Sequence, residues 1–267
     1  GGLTAAALLA RAGQKVLVLE RNDHVGGCAT TLRHGGRALE MSLHMTVDPA
    51  IGMDPKGPVF TALGIDEMID FVPVPDIYEL RWPGLEAPFV MPKGLKEAEA
   101  ALCDRFPDQA EPISRFLTQI DRIQDAMAAM GGSHDGRWWR GHIADLPLDF
   151  WALARDFRKS LAEVLDRYFG ENEALKMCLA ANLPYYADNP EKLWWLGYGV
   201  AQGGFLANGG AYIKGGSGQL AEALLQVIRD GGGQVLQGYE VTGITTDAAG
   251  QVSGVRYRHG THGTTEA

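Results

Sequence analysis

The sequence predicts an α/β protein: a parallel sheet with an antiparallel hairpin, interrupted by a mixed, mainly helical insertion. Three observations predict it. The chain opens on two glycines, a small-residue helix, a β-branched strand and an acid (GGLTAAALLARAGQKVLVLE, residues 1–20). A second glycine-rich block, GGAYIKGGSGQLAEALLQVIRDGGGQVLQGYEVTGI (209–244), again orders turn, helix and strand. Between them lie long stretches whose apolar residues recur at helical spacing.

The opening elements come first. Leu3 to Ala12 is apolar on nearly all sides, which predicts a buried helix. Gly13 ends it as a C-terminal cap residue. Lys15 to Leu19 (KVLVL) has strand length and suits a parallel strand covered on both faces, and Glu20 closes it. This order is the second half of a βαβ dinucleotide-binding unit. There, glycines let a pyrophosphate approach the backbone, and the helix start offers unpaired N–H groups and a positive dipole end. An acid about 20 residues further on accepts hydrogen bonds from a ribose. Gly1 and Gly2 then read as the last two positions of a GxGxxG-type loop, with its first strand and first glycines expected before Gly1. An ordinary glycine-started helix before a strand is the alternative.

Composition bounds the partners. The 267 residues are 46% hydrophobic and 21% charged, close to an average soluble protein. A net charge of −9 argues against general nucleic-acid binding, which needs a basic surface. The three cysteines (Cys28, Cys103, Cys178) show neither CxxC nor metal spacing and read as reduced thiols in a cytosol-like compartment. No run approaches the roughly 18 apolar residues of a membrane span.

After Glu20 the chain passes through a polar loop, RNDHVGG, to Gly26-Gly27 and the extended piece CATTL. With this loop, residues 1–46 resemble the FAD-binding segment of the flavin amine oxidase superfamily. Through GGRALEMSLHM (35–45) they look most like its branch of phytoene desaturases, carotenoid isomerases and retinol saturases. The resemblance implies a Rossmann-like FAD-binding domain and FAD as cofactor, with Gly1, Gly2, Glu20, Arg21, Gly26, Gly27 and Thr30 in contact with it. It also implies that Glu40 and His44 lie near the flavin ring as the catalytic pair. Ser42 stands where the family usually has glycine, and Cys28 where many relatives carry arginine. Block 209–244 resembles the family's return from substrate domain to FAD domain, with the Val241 backbone against the adenine. The expected domains are thus 1–50 and 206–267 for FAD and 51–205 for the substrate. The chain reads as incomplete at both ends.

Within the late block, Gln219 to Arg229 is a helix stopped by Gly231 to Gly233. The strands QVLQG and EVTGI follow, then a DAAGQ turn into SGVRYRHG, an antiparallel hairpin. In the insertion, VFTALGI and DEMIDFVPVP suggest a short helix and a strand, and IYELRWPGLEAPFVMP a hairpin. Residues 108–130 carry a helical stripe from Ile113 to Met130, and 149–169 another through Trp151, Ala154, Phe157, Leu161, Val164, Leu165 and Tyr168. Both read as core. GGSHDGRWWRGH (131–142) reads as a surface loop or lid, with a membrane-interface anchor as the alternative. YYADNPEKLWWLGYG (185–199) suits either a polyene channel or helix packing.

The function implied is hydride exchange between flavin and an apolar polyene, whether desaturation, isomerisation or saturation. The alternatives are a flavin amine oxidase acting on a polar amine, and a catalytically silent fragment that binds nucleotide weakly. The expected partner is an apolar small molecule, with no nucleic acid and no metal. The expected location is cytoplasmic, with peripheral contact to a membrane.

Overall fold

A computed structural model describes residues 1–41, 43–47, 56–131, 156–185, 189–260 and 262–266. The small residues after Gly1 form helix α1 (Gly2–Arg11). Its end is fixed by hydrogen bonds from the Gly13 and Gln14 N–H groups back to Ala10 and Leu9, with Gly13 at φ +76°. Only one face of α1 is buried, through Ala6, Ala7 and Ala10, while Leu8 and Leu9 are 41% and 51% exposed. Full burial of this helix was expected. The alanine face packs into a core shared with two other helices, and the leucines on the opposite side stay about half exposed. Strand β1 (Leu17–Glu20) follows, half-covered rather than covered on both faces.

The described chain divides into two compact units. One takes in the described residues of 1–49, 55–72 and 211–267, the other those of 73–210. Residues 55–72, assigned to the insertion from sequence, therefore pack with the first unit.

In the first unit, β2 (Thr31–His34) and β3 (Arg37–Glu40) pair antiparallel across a Gly35-Gly36 turn, both glycines at positive φ. Helix α2 (Lys56–Leu63) leads to β4 (Phe71–Val74). Helix α8 (Gly218–Asp230) presents Leu224, Val227 and Ile228 to a core shared with Ala6 and Ala7 of α1 and Phe60 and Leu63 of α2. Strand β8 (Gln234–Gln237) then pairs parallel with β1, Glu20 opposite Gln237. Parallel pairing of this kind is what a Rossmann-like sheet is built from. Strands β9 (Tyr239–Thr246), β10 (Val252–His259) and β11 (His262–Glu266) form an antiparallel meander, one strand longer than the predicted hairpin.

The second unit holds the hairpin β5 (Asp76–Leu80) and β6 (Phe89–Pro92), then helices α3 (Leu95–Arg105), α4 (Ala110–Gly131), α5 (Leu161–Phe169), α6 (Glu173–Ala180) and α7 (Trp195–Asn208). Strand β7 (Gly210–Ile213), which from Ala211 on belongs to the first unit, follows α7 and pairs with β4. Ile113, Phe116, Leu117, Ile120 and Ile123 of α4 are buried, as their spacing predicts, and Met127 is exposed. The second stripe is not one helix. The chain turns at Asp156–Arg158, and Ser160 starts α5 afresh with a capping box to Glu163. Phe157, expected in the core, is 54% exposed. Trp195 and Tyr198 are buried against Phe116, so this part of the aromatic segment is helix packing. Trp151, Ala154, Tyr186 and the Trp138-Trp139 loop lie outside the described residues. Among the described residues no helix is long and apolar enough to cross a membrane.

Candidate cofactor groove

The site is built on the start of a helix. Gly1 caps α1 and has no side chain to satisfy the first N–H groups, and the first turn holds no acid. The opening amides of α1 therefore keep free hydrogen-bonding capacity and an uncompensated positive dipole end. Gly1 and Gly2 line a cavity of about 380 Å³, together with Glu20 at the end of β1 and Gly26 and Gly27 of the following loop. A second cavity of about 430 Å³ is lined by Glu20, Arg21, Asn22 and Gly27, and by Tyr239, Glu240 and Val241 of β9. The two share Leu19, Glu20 and Gly27, so they form one groove running from the start of α1 past Glu20 to β9.

Its glycines differ in why they are glycine. Gly26 (φ +111°) has no room for a side chain: a Cβ would stand 2.5 Å from the Ala29 carbonyl oxygen and 3.0 Å from the Ala221 methyl of α8. Gly26 thus lets the loop lie flat on that helix. A Cβ on Gly1, Gly2 or Gly27 would meet no protein atom within 4 Å. Among the described residues nothing packs where a Cβ of Gly1 or Gly2 would stand, and close approach of a ligand to the backbone favours glycine there. That open strip beside unpaired amides fits a dinucleotide phosphate. Glu20 fits the ribose: one carboxylate oxygen accepts from the Asn22 N–H at 2.8 Å, which aims the group and leaves the other oxygen for a ligand.

Of the residues singled out from sequence, Gly1, Gly2, Glu20, Gly26 and Gly27 line the first cavity, and Arg21 and Val241 join Glu20 and Gly27 at the second. Thr30 lines neither. Its hydroxyl donates to the Gly27 carbonyl at 2.7 Å, so it supports the loop from behind. His44 is exposed on a bend after β3 and lines neither cavity. Ser42 lies outside the described residues.

Glu40 departs most from expectation. It was read as a catalytic group near a ring edge, yet its carboxylate is committed within the protein. It accepts from the Thr31 hydroxyl at 2.9 Å, from the Ser217 N–H at 2.7 Å and from the Ser217 hydroxyl. Desolvation alone would raise its pKa, but these bonds from Ser217 and Thr31, with one from the Met41 N–H, outweigh it and hold the carboxyl below its ordinary range. Such a group stays ionised at neutral pH and makes a poor proton donor. Sequence reading missed Thr31, Ser217 and Tyr239. The GGSGQ turn before a helix was the available signal for Ser217, as a cap position.

Among the described residues no three His, Cys, Asp or Glu side chains could jointly hold a metal ion. The cysteines are free thiols, and burial pushes Cys178 up to about 11.

Comparison with known proteins bears on the family and the fold. The chain is 29% identical over 275 residues to human all-trans-retinol 13,14-reductase, covering 97% of the chain and 43% of that protein. It is 25% identical over 254 residues to 4,4'-diapophytoene desaturase of Staphylococcus aureus strain COL, covering 92% of the chain and 48% of that protein. The chain thus spans under half the length of these curated relatives. An oxidoreductase from Methanosarcina mazei shares the fold, with a TM-score of 0.61 at 18% identity over the whole chain and 55% of that structure. The family model for flavin containing amine oxidoreductase matches residues 1–267, and the cofactor is FAD. On groove and match together, the chain belongs to the flavin containing amine oxidoreductase family.

Proposed function

We propose that the protein to which this chain belongs is an FAD-dependent oxidoreductase acting on an apolar polyene of the carotenoid or retinoid type. The carrying observation is that two of its curated relatives are named for changing the saturation of a polyene, one by reduction and one by desaturation. The groove supports the cofactor half of this reading. The amides opening α1 hold the diphosphate, and Gly26 and Gly27 let it pass close to the backbone. Glu20 binds the adenosine ribose, while Arg21 and the Val241 backbone border the adenine end. Thr30 keeps the loop in shape. When bound, the flavin supplies two-electron, hydride-type chemistry. His44, exposed after β3, is the residue of this segment assigned to proton movement beside the reacting edge or to holding the ring. Because a polyene dissolves in lipid, the proposal includes a cytoplasmic protein in peripheral contact with a membrane.

The test uses the full-length protein. A flavin absorbance that survives gel filtration and is released as FAD on denaturation is expected. Anaerobic mixing of the reduced protein with all-trans-retinol, and of the oxidised protein with a saturated carotenoid precursor, should change the flavin spectrum with at least one of them. Response to a polyamine alone would replace the polyene by an amine substrate. A folded, colourless protein that takes up no FAD would overturn the reading. Replacing His44 by Ala is expected to slow the half-reaction about 10²-fold, the usual scale of a lost proton-transfer group. An unchanged rate with intact flavin binding removes His44 from the mechanism.

A further inference from the structure

We propose that Glu40 is a positioning residue: its carboxylate latches the β2–β3 hairpin onto the start of α8 and so fixes the Gly26–Gly27 loop in the shape that lines the cofactor groove. The inference deepens the flavin reading and rests on it only for the identity of the ligand.

The latch is a closed set of hydrogen bonds. Glu40 at the end of β3 takes the Ser217 N–H, the Ser217 hydroxyl and the Thr31 hydroxyl. The Thr31 oxygen in turn accepts from the Gly218 N–H at 3.2 Å. Two amides at the start of α8, which no intrahelical carbonyl can satisfy, are thus satisfied by a hairpin some 180 residues away in sequence. A carboxylate at that end of a helix also meets the positive end of its dipole. Ser217 is fully buried, so water cannot stand in for Glu40 there. The approach is too close for any side chain at Gly216, where a Cβ would stand 2.1 Å from the Thr31 oxygen and 2.8 Å from Glu40.

From the latch the connection runs to the groove. Thr31 is bonded to Thr30, whose carbonyl accepts from the Met41 N–H at 3.2 Å and whose hydroxyl holds the Gly27 carbonyl at 2.7 Å. On the other side, Gly26 rests against Ala221, one turn into α8. The loop is therefore held by the hairpin and by the helix that Glu40 ties together. Glutamine would keep one acceptor oxygen but would turn its NH₂ toward groups that are themselves donors.

The experiment compares wild type, Glu40→Gln, Ser217→Ala, Thr31→Val and Thr31→Ser as full-length proteins. Amide hydrogen exchange is measured without FAD, and the FAD Kd by flavin fluorescence titration. Glu40→Gln and Thr31→Val should speed exchange at Gly26–Thr31 and at Ser217–Gly218 and leave α4 unchanged. They should raise the FAD Kd about tenfold, and Thr31→Ser, which keeps the hydroxyl, should restore both. Ser217→Ala, which leaves the Ser217 amide bond in place, gives a smaller change of the same kind and serves if Glu40→Gln does not fold. Wild-type exchange in folded Glu40→Gln overturns the latch, whether or not the protein binds flavin. Faster exchange with an unchanged Kd overturns its link to the groove. A wild-type protein that takes up no FAD instead defeats the flavin reading, while the exchange data still decide the latch.

Discussion

Glu20 sits where the two halves of the groove meet, and among the described residues its carboxylate's bond to the Asn22 N–H leaves an oxygen uncommitted. Replacing it by Ala removes a charged acceptor, an interaction of about 1.5–3 kcal/mol, so the FAD Kd should rise roughly 10- to 100-fold. Because only one part-buried amide at the rim of the groove loses its partner, the melting temperature of the apoprotein should move little; a large drop would show that Glu20 serves the fold instead. Glu40 behaves oppositely with pH. Its folded-state pKa is depressed, so its contribution to stability is present above the unfolded pKa and is lost as pH falls through the folded value. The melting-temperature gap between wild type and Glu40→Gln should therefore be open at neutral pH and close in acid; a gap independent of pH would deny that the ionised form does the holding. These two acids also mark how far residues can be read from sequence. Glu20 was legible because strand length fixes its distance from Gly1 and Gly2, a purely local constraint. Glu40's partner Ser217 lies 177 positions away, and no local pattern announces such a pairing.

At the scale of elements, α7 shows why a glycine-rich segment hides a helix. Its sequence WLGYGVAQGGFLAN carries four glycines, each costing helix propensity, and only its first residues, within 185–199, read as helix packing, as one of two alternatives. Tertiary packing overrides that cost. A Cβ on Gly203 would stand 2.8 Å from Cγ2 of Ile120 and 2.5 Å from the amide of Gln124, which donates to the carbonyls of Gly199 and Val200. Gly203 thus lets α4 and α7 approach closely. Gly204, its neighbour, faces open space. Adjacent substitutions should then act with opposite sign. Gly203→Ala overpacks the helix pair and should destabilise by about 1–3 kcal/mol, whereas Gly204→Ala should stabilise by about 0.5–1 kcal/mol. Denaturant titration decides it, and equal effects would mean that propensity rather than packing governs α7. The misread stripe at 149–169 has a related cause. Apolar spacing continued through Ser160, but Ser160 and Glu163 spell a capping box, a stronger local signal than periodicity and one present in the sequence. The long helix of 108–130 was legible because nothing in it competes with its stripe.

For the whole molecule, the arrangement of elements was legible wherever glycine, helix and strand come in a fixed order, as in 1–20 and 209–244. The division of the chain was less so, because residues 55–72 join the first unit through Phe60, Leu63, Ile65 and Ile69, apolar residues whose destination only the folded core reveals. Every residue that lines the groove belongs to that first unit, while the aromatic cluster around Phe116 belongs to the second. Ligand linkage turns this partition into a prediction. A ligand bound only by the native state stabilises it by RT ln(1 + [L]/Kd), about 2.7 kcal/mol at a hundredfold excess over Kd. If the units open independently, FAD at that level should slow exchange by about 10²-fold for amides that open with the first unit, those of α1, β1, β2, β3 and α8. Amides of α4, α5 and α7 should exchange as before. Mass-resolved hydrogen exchange with and without FAD reads both sets in one experiment. Uniform protection across the two sets would show instead that the units unfold as a single cooperative body, so that cofactor binding in one is felt throughout the other.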